Sequence, residues 1–111
     1  MDIYHIWADK AEGISEIEWV SQMRKFLTML VNSNKMESFR ITRCKLGFRS
    51  MDIPEWHIMM EFKNMCQFEN AFGEVSLHNG DLESAHVGFN KFVDDNIQHA
   101  YYKDWDNDLQ G

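Results

Sequence analysis

Proline occurs once in this chain, at Pro54, and cysteine twice, at Cys44 and Cys66. Two thiols are too few for a disulfide scaffold, and they are too far apart for a CxxC redox pair or zinc knuckle. No linker, repeat or low-complexity stretch interrupts the sequence. The six glycines, Gly13, Gly47, Gly73, Gly80, Gly88 and Gly111, form neither a GxGxxG turn nor a Walker-type phosphate loop. Cations are also in short supply. Eleven Lys and Arg against eighteen Asp and Glu leave a formal charge of −7. That balance argues against a sequence-independent nucleic-acid binder and against docking on anionic membranes. No apolar run approaches the roughly 20 residues of a membrane span. Met1-Asp2-Ile3-Tyr4-His5 opens on an acid where a signal peptide carries cations, so a cytoplasmic protein is expected.

What remains is ample for one core. The chain has 111 residues, 44% of them hydrophobic and 14% aromatic, which suits a single domain over 1–104 followed by an acidic tail, 105–111. Asp2 to Ala8 alternates Ile3, His5 and Trp7 against Tyr4, Ile6 and Ala8, the pattern of a short strand. After Gly13, Ser15 and Glu18 have the spacing of a capping box. The apolar stripe Ile17, Val20, Met23, Leu27, Leu30 and Val31 then predicts a helix that leaves at Asn32-Ser33-Asn34. A second strand is expected over 38–48, with Phe39 and Ile41 on one face and Arg40, Thr42, Cys44 and Leu46 on the other. A third is expected over 55–62, with Trp56, Ile58, Met60 and Phe62 opposed to His57, Met59 and Glu61. Asn64 and Gln67 start a second helix with the stripe Met65, Phe68, Phe72 and Val75. Asp81 would cap a further one bearing Leu82, Ala85, Phe89 and Phe92. A last strand runs over about 96–103.

The order β-α-β-β-α-(α)-β is that of a ferredoxin-like α+β sandwich, a four-stranded antiparallel sheet with its helices on one face. The other face is then bare. It would display Arg40, Thr42, Cys44, Leu46, His57, Met59 and Glu61, joined by Ile3, His5 and Trp7 if the first strand has matching parity; a one-residue slip would send His5 to the helices. A mixed apolar and ionisable patch of this kind marks an interface or a pocket, and pairing of two sheets into a homodimer is the economical cover. Tyr4-His5-Ile6-Trp7-Ala8-Asp9, Phe39-Arg40-Ile41-Thr42-Arg43, Trp56 to Phe62 and Tyr102-Lys103-Asp104 resemble an uncharacterised bacterial family of the dimeric α+β barrel superfamily. That resemblance implies the fold and a dimer. The superfamily spans cofactor-free monooxygenases, lactone isomerases, haem enzymes and proteins with no assigned role; its haem branches are larger and no residue pattern here matches an axial-ligand context, so haem is not carried over.

Direct search finds no HExxH and no GxSxG. Asp104, Asp106 and Asp108 begin like a calcium loop but lack its glycine and terminal glutamate, so neither metal nor cofactor is expected. His5 and His57 are the candidate catalytic residues, a pair able to act as general base and hydrogen-bond donor. Arg40, Glu61, Trp7 and Met59 are the candidate substrate contacts, Arg40 as a planar clamp for a carboxylate. Metal binding with Glu61 is the other chemistry open to the histidines, but Glu61 lies roughly 13 Å from His57 along the strand, so both reach one ion only if a two-fold brings the partner's copy close. His78, His86 and His99 read more simply as structural or solvated, Cys44 as an inert thiol, and the basic run Arg40, Arg43, Lys45 and Arg49 as protection of a sheet edge. Two functions fit. One is a homodimer binding a small apolar or aromatic molecule, acting as a cofactor-independent monooxygenase or isomerase. The other is a dimeric scaffold or regulatory module whose histidines are structural. A cavity of several hundred Å³ with converging polar groups separates the first from the second.

Overall fold

The computed structural model describes residues 1–76 and 97–105. The elements are β1 (Asp2–Ala8), α1 (Glu16–Asn32), β2 (Ser38–Arg43), a 3-10 turn (Lys45–Gly47), β3 (Trp56–Phe62), α2 (Met65–Ser76) and β4 (Gln98–Lys103). The strands form one antiparallel sheet in the order β2-β3-β1-β4. This is the ferredoxin-like α+β architecture expected from the element order. The expected third helix after Asp81, the side chain of Val75, His78, His86 and residues 106–111 lie outside the described residues.

α1 begins as its sequence dictates. The Ser15 Oγ accepts the Glu18 N–H at 3.0 Å, and Glu16 and Glu18 place negative charge on the first turn. It ends in a Schellman arrangement. Asn34 takes φ 61°, the Lys35 N–H reaches the Leu30 carbonyl at 2.8 Å and the Asn34 N–H reaches that of Val31 at 3.0 Å. The buried stripe, however, is Trp19, Met23, Phe26, Leu27 and Leu30, whereas Ile17 is 85% exposed. Residues 17 and 19 lie about 200° apart around a helix, so only one can face the sheet. The larger Trp19 takes that place and meets Trp56 edge-on at 4.9 Å. In α2, Ala71 is buried and Phe68 and Phe72 are half-buried against Tyr4 and Phe62, while Met65 is turned outward.

The sheet face beneath both helices is carried by Trp56, Ile58, Met60 and Phe62 of β3, all buried. β1 aligns Ala8, Ile6, Tyr4 and Asp2 with them in turn. Tyr101 of β4 closes the edge of this layer by donating its hydroxyl to the Asp2 carboxylate at 2.6 Å. β2 is shorter than expected. Its last rung is followed by a bond from the Cys44 N–H to the Glu55 carbonyl, and then Leu46 and Gly47 both adopt left-handed backbone, at φ 56° and 66°. Two such residues in succession turn the chain out of the sheet. Leu46 is therefore 94% exposed beyond the strand rather than seated on the bare face.

Removal of the cap should be measurable without touching the core. Ser15→Ala is expected to lower unfolding free energy by about 1 kcal/mol in chemical denaturation, and Ser15→Asp to retain most of it.

Candidate functional site

The pairing of β1 with β3 opposes Trp7 to His57, His5 to Met59 and Ile3 to Glu61. Because successive side chains alternate, these six residues share the face turned away from the helices. β2 adds Ser38, Arg40 and Thr42 to it, and β4 adds Gln98, Ala100 and Tyr102. The matching parity thus holds, and the two candidate histidines meet. His5 Nδ1 lies 2.9 Å from His57 Nε2, with the rings 19° from parallel. Trp7 stacks on His57 at 4.6 Å and 6°, and Tyr102 meets His5 edge-on at 5.1 Å. The Thr42 hydroxyl donates to the His57 carbonyl at 2.9 Å across the strands.

Two ring nitrogens at this distance can share one proton but not hold two. The bond therefore requires a donor N–H on one ring and a lone pair on the other. Electrostatics act in the same sense. Burial pushes the pKa of both histidines down, and for His57 the neighbouring His5 adds a second, smaller depression. Both shifts favour the neutral rings.

The remaining candidates are placed differently. Glu61 accepts a bond from the Ser38 hydroxyl at 2.8 Å, toward the far end of the same face. Arg40 pairs across the strands with Met59 and is exposed. Beside His57 instead lies a groove of about 690 Å³ between the end of the bare face and the β2–β3 connection. Trp7, Thr42 and His57 line its sheet side; Cys44, Phe48, Arg49, Met51, Ile53 and Pro54 line the other. Of the residues singled out from the sequence, His57 and Trp7 line this groove, with His5 bonded behind them. Arg40, Glu61 and Met59 do not line it. His99 sits on the helix side of β4, near Tyr4. Among the described residues no group of three His, Cys, Asp or Glu could hold a metal ion.

The wall contributed by the connection was not recognised in the sequence. Its signal was the apolar residues Met51 and Ile53 in the stretch between Gly47 and Pro54, and Leu46 and Phe48 beside Gly47. The corner is fixed by polar bonds. Arg43 binds Glu16 at 2.8 Å, binds Glu55, and lies over the Trp56 ring at 5.3 Å. The Asp9 carboxylate accepts the Glu55 N–H at 2.9 Å, tying the end of β1 to the start of β3.

Over residues 1–110 the sequence matches the model of a family of unknown function, DUF6614. The chain belongs to the DUF6614 family. No curated protein matches it. Solved structures similar to this DUF6614 chain share its fold at low identity. At3g17210 from Arabidopsis thaliana is 13% identical with a TM-score of 0.70, over 96% of this chain and 97% of that one. A dimeric ferredoxin-like protein of unknown function from Jannaschia sp. is 10% identical with a TM-score of 0.63, over 93% and 99%. SnoaB, a cofactor-independent oxygenase from Streptomyces nogalater, is 8% identical with a TM-score of 0.61, over 96% and 92%. Among the described residues no helix is long and apolar enough to cross a membrane.

Depressed histidine pKa values have a definite sign in stability. Between the folded pair's value and the ordinary value of about 6.5, the unfolded chain binds more protons than the folded one, so stability rises with pH there. Melting temperature should fall as pH drops from about 7.5 to about 5.5. The double variant His5→Asn, His57→Gln keeps a neutral amide bond at these positions and should show a shallower dependence.

Proposed function

We propose that this protein is a homodimer that binds a small planar molecule, apolar or aromatic in its body, in the groove beside His57, and that His57 removes a proton from it without a cofactor. The observation that supports this most is the His5–His57 hydrogen bond at the edge of a groove with an apolar wall. In the tautomer with the proton on His57 Nε2, that N–H donates to His5 Nδ1 and leaves His57 Nδ1 as the basic nitrogen. A proton taken there makes an imidazolium whose other N–H is already bonded to His5 and whose face lies on Trp7. Burial, which keeps the resting ring neutral, keeps it available as a base. The substrate is left as an enolate or phenolate. That anion is the common first product of an isomerisation and of a cofactor-free reaction with dioxygen.

The bare face supports the dimer. Ile3, Trp7 and Met59 are only half-buried on it and Tyr102 is 60% exposed, which is costly for a monomer. The Jannaschia neighbour is described as dimeric, and SnoaB shows that this fold can host cofactor-independent oxygenation. Neither assigns a substrate here.

Two variants test the reading. With 2-naphthol as the probe in calorimetric titration, His57→Gln should weaken binding about tenfold, or about 1.4 kcal/mol, and shift melting temperature little. A lowered melting temperature with unchanged affinity would favour the scaffold function and defeat this one. Met59→Asp should convert a dimer mass to a monomer mass in light scattering, because the charge would be buried between sheets; an unchanged mass contradicts the sheet pairing.

A further inference from the structure

The charged residues of the groove wall are Arg43, Glu55 and Arg49. Arg43 is committed twice, to Glu55 and to Glu16. Glu55 is neutralised by the same bond. Arg49 is left with no acidic partner among the described residues, in a chain whose formal charge is −7. Arg24 and Arg40 likewise have no ion pair among the described residues, but of these three only Arg49 lines the groove. Its backbone is held in place, since the Arg49 N–H donates to the Gly47 carbonyl at 2.9 Å just after the left-handed turn. It is flanked by two apolar side chains that the fold does not use, Phe48 at 92% and Met51 at 62% exposure. Lys45, the other cation of this connection, does not line the groove.

A planar cation with no acidic partner among the described residues, flanked in sequence by exposed apolar side chains and lining the same groove as the stacked Trp7 and His57, is complementary to one chemical class. We infer that the groove takes aromatic acids, and that Arg49 is the specificity-determining residue that binds their carboxylate. This deepens the reading of the groove as a ligand site and rests on it. The ring of the ligand would lie among Phe48, Met51 and Trp7. Its carboxylate would accept paired N–H bonds from Arg49, the geometry that distinguishes guanidinium from ammonium. Arg40, the carboxylate clamp expected from the sequence, is exposed on the bare face and outside the groove lining.

The test compares 2-naphthoate with its neutral isostere 2-naphthamide by calorimetric titration at low ionic strength. The wild-type protein should bind 2-naphthoate about tenfold more tightly, and added salt should erode that preference. Arg49→Gln should remove the preference while leaving 2-naphthamide affinity and melting temperature unchanged. Arg49→Lys should restore only part, since an ammonium keeps the charge but not the fork. Equal affinity for the two probes in the wild type, or a preference that survives Arg49→Gln, overturns the assignment of Arg49 and leaves the groove as a ligand site. Failure of both probes to bind the wild type overturns the groove reading as well.

Discussion

The register between β1 and β3 is the constraint from which the rest follows. It places Ile6 against Ile58 and Ala8 against Trp56 under the helices, and in doing so places Trp7 against His57 on the opposite face. The helix side fixes it. Ile58, Trp56, Met60 and Phe62 are all buried, and a slip of one residue would exchange them for His57, Met59 and Glu61. The histidine pair is thus positioned by a hydrophobic core that it does not touch. A bond between two imidazoles, marginal in water, becomes a fixed feature when the strands carrying it are held by packing.

The groove depends on a second device. A strand that continued to residue 48 would have buried Leu46 on the bare face and left no wall beside His57. The paired left-handed residues Leu46 and Gly47 end the strand at Arg43 and send the chain outward before it returns at Trp56. Arg43, Glu16, Glu55 and Asp9 then pin both ends of that excursion to α1 and β1. The polar ties stand at the base of the connection and the apolar side chains farther along it. That distribution gives a wall with polar ties at its base and a largely apolar lining.

Much of the fold could be read from the sequence because the relevant signals are local and periodic. Alternation in Trp56 to Phe62 and the Ser15 cap depend only on near neighbours, and both appear as expected. The shared face of His5 and His57 followed from parity alone. What could not be read depends on competition or on three-dimensional closure. Ile17 and Trp19 compete for one side of a helix, and side-chain volume decides it. The groove joins Trp7 and His57 to a connection with no periodic pattern, whose first residues, Cys44 to Phe48, read as a continuation of the strand. Arg40 and Arg49 look alike as sequence; only the ion pairs of Arg43 show which groove cation is unpaired among the described residues.

The site rests on a neutral histidine pair sharing one proton between His5 Nδ1 and His57 Nε2. Long-range proton–nitrogen correlation NMR of the imidazole rings near pH 6.5 tests it most directly. Two neutral rings are expected, each with one protonated and one bare nitrogen, and the bonded proton shifted downfield. Either ring found as an imidazolium at that pH, with both nitrogens protonated, would contradict it.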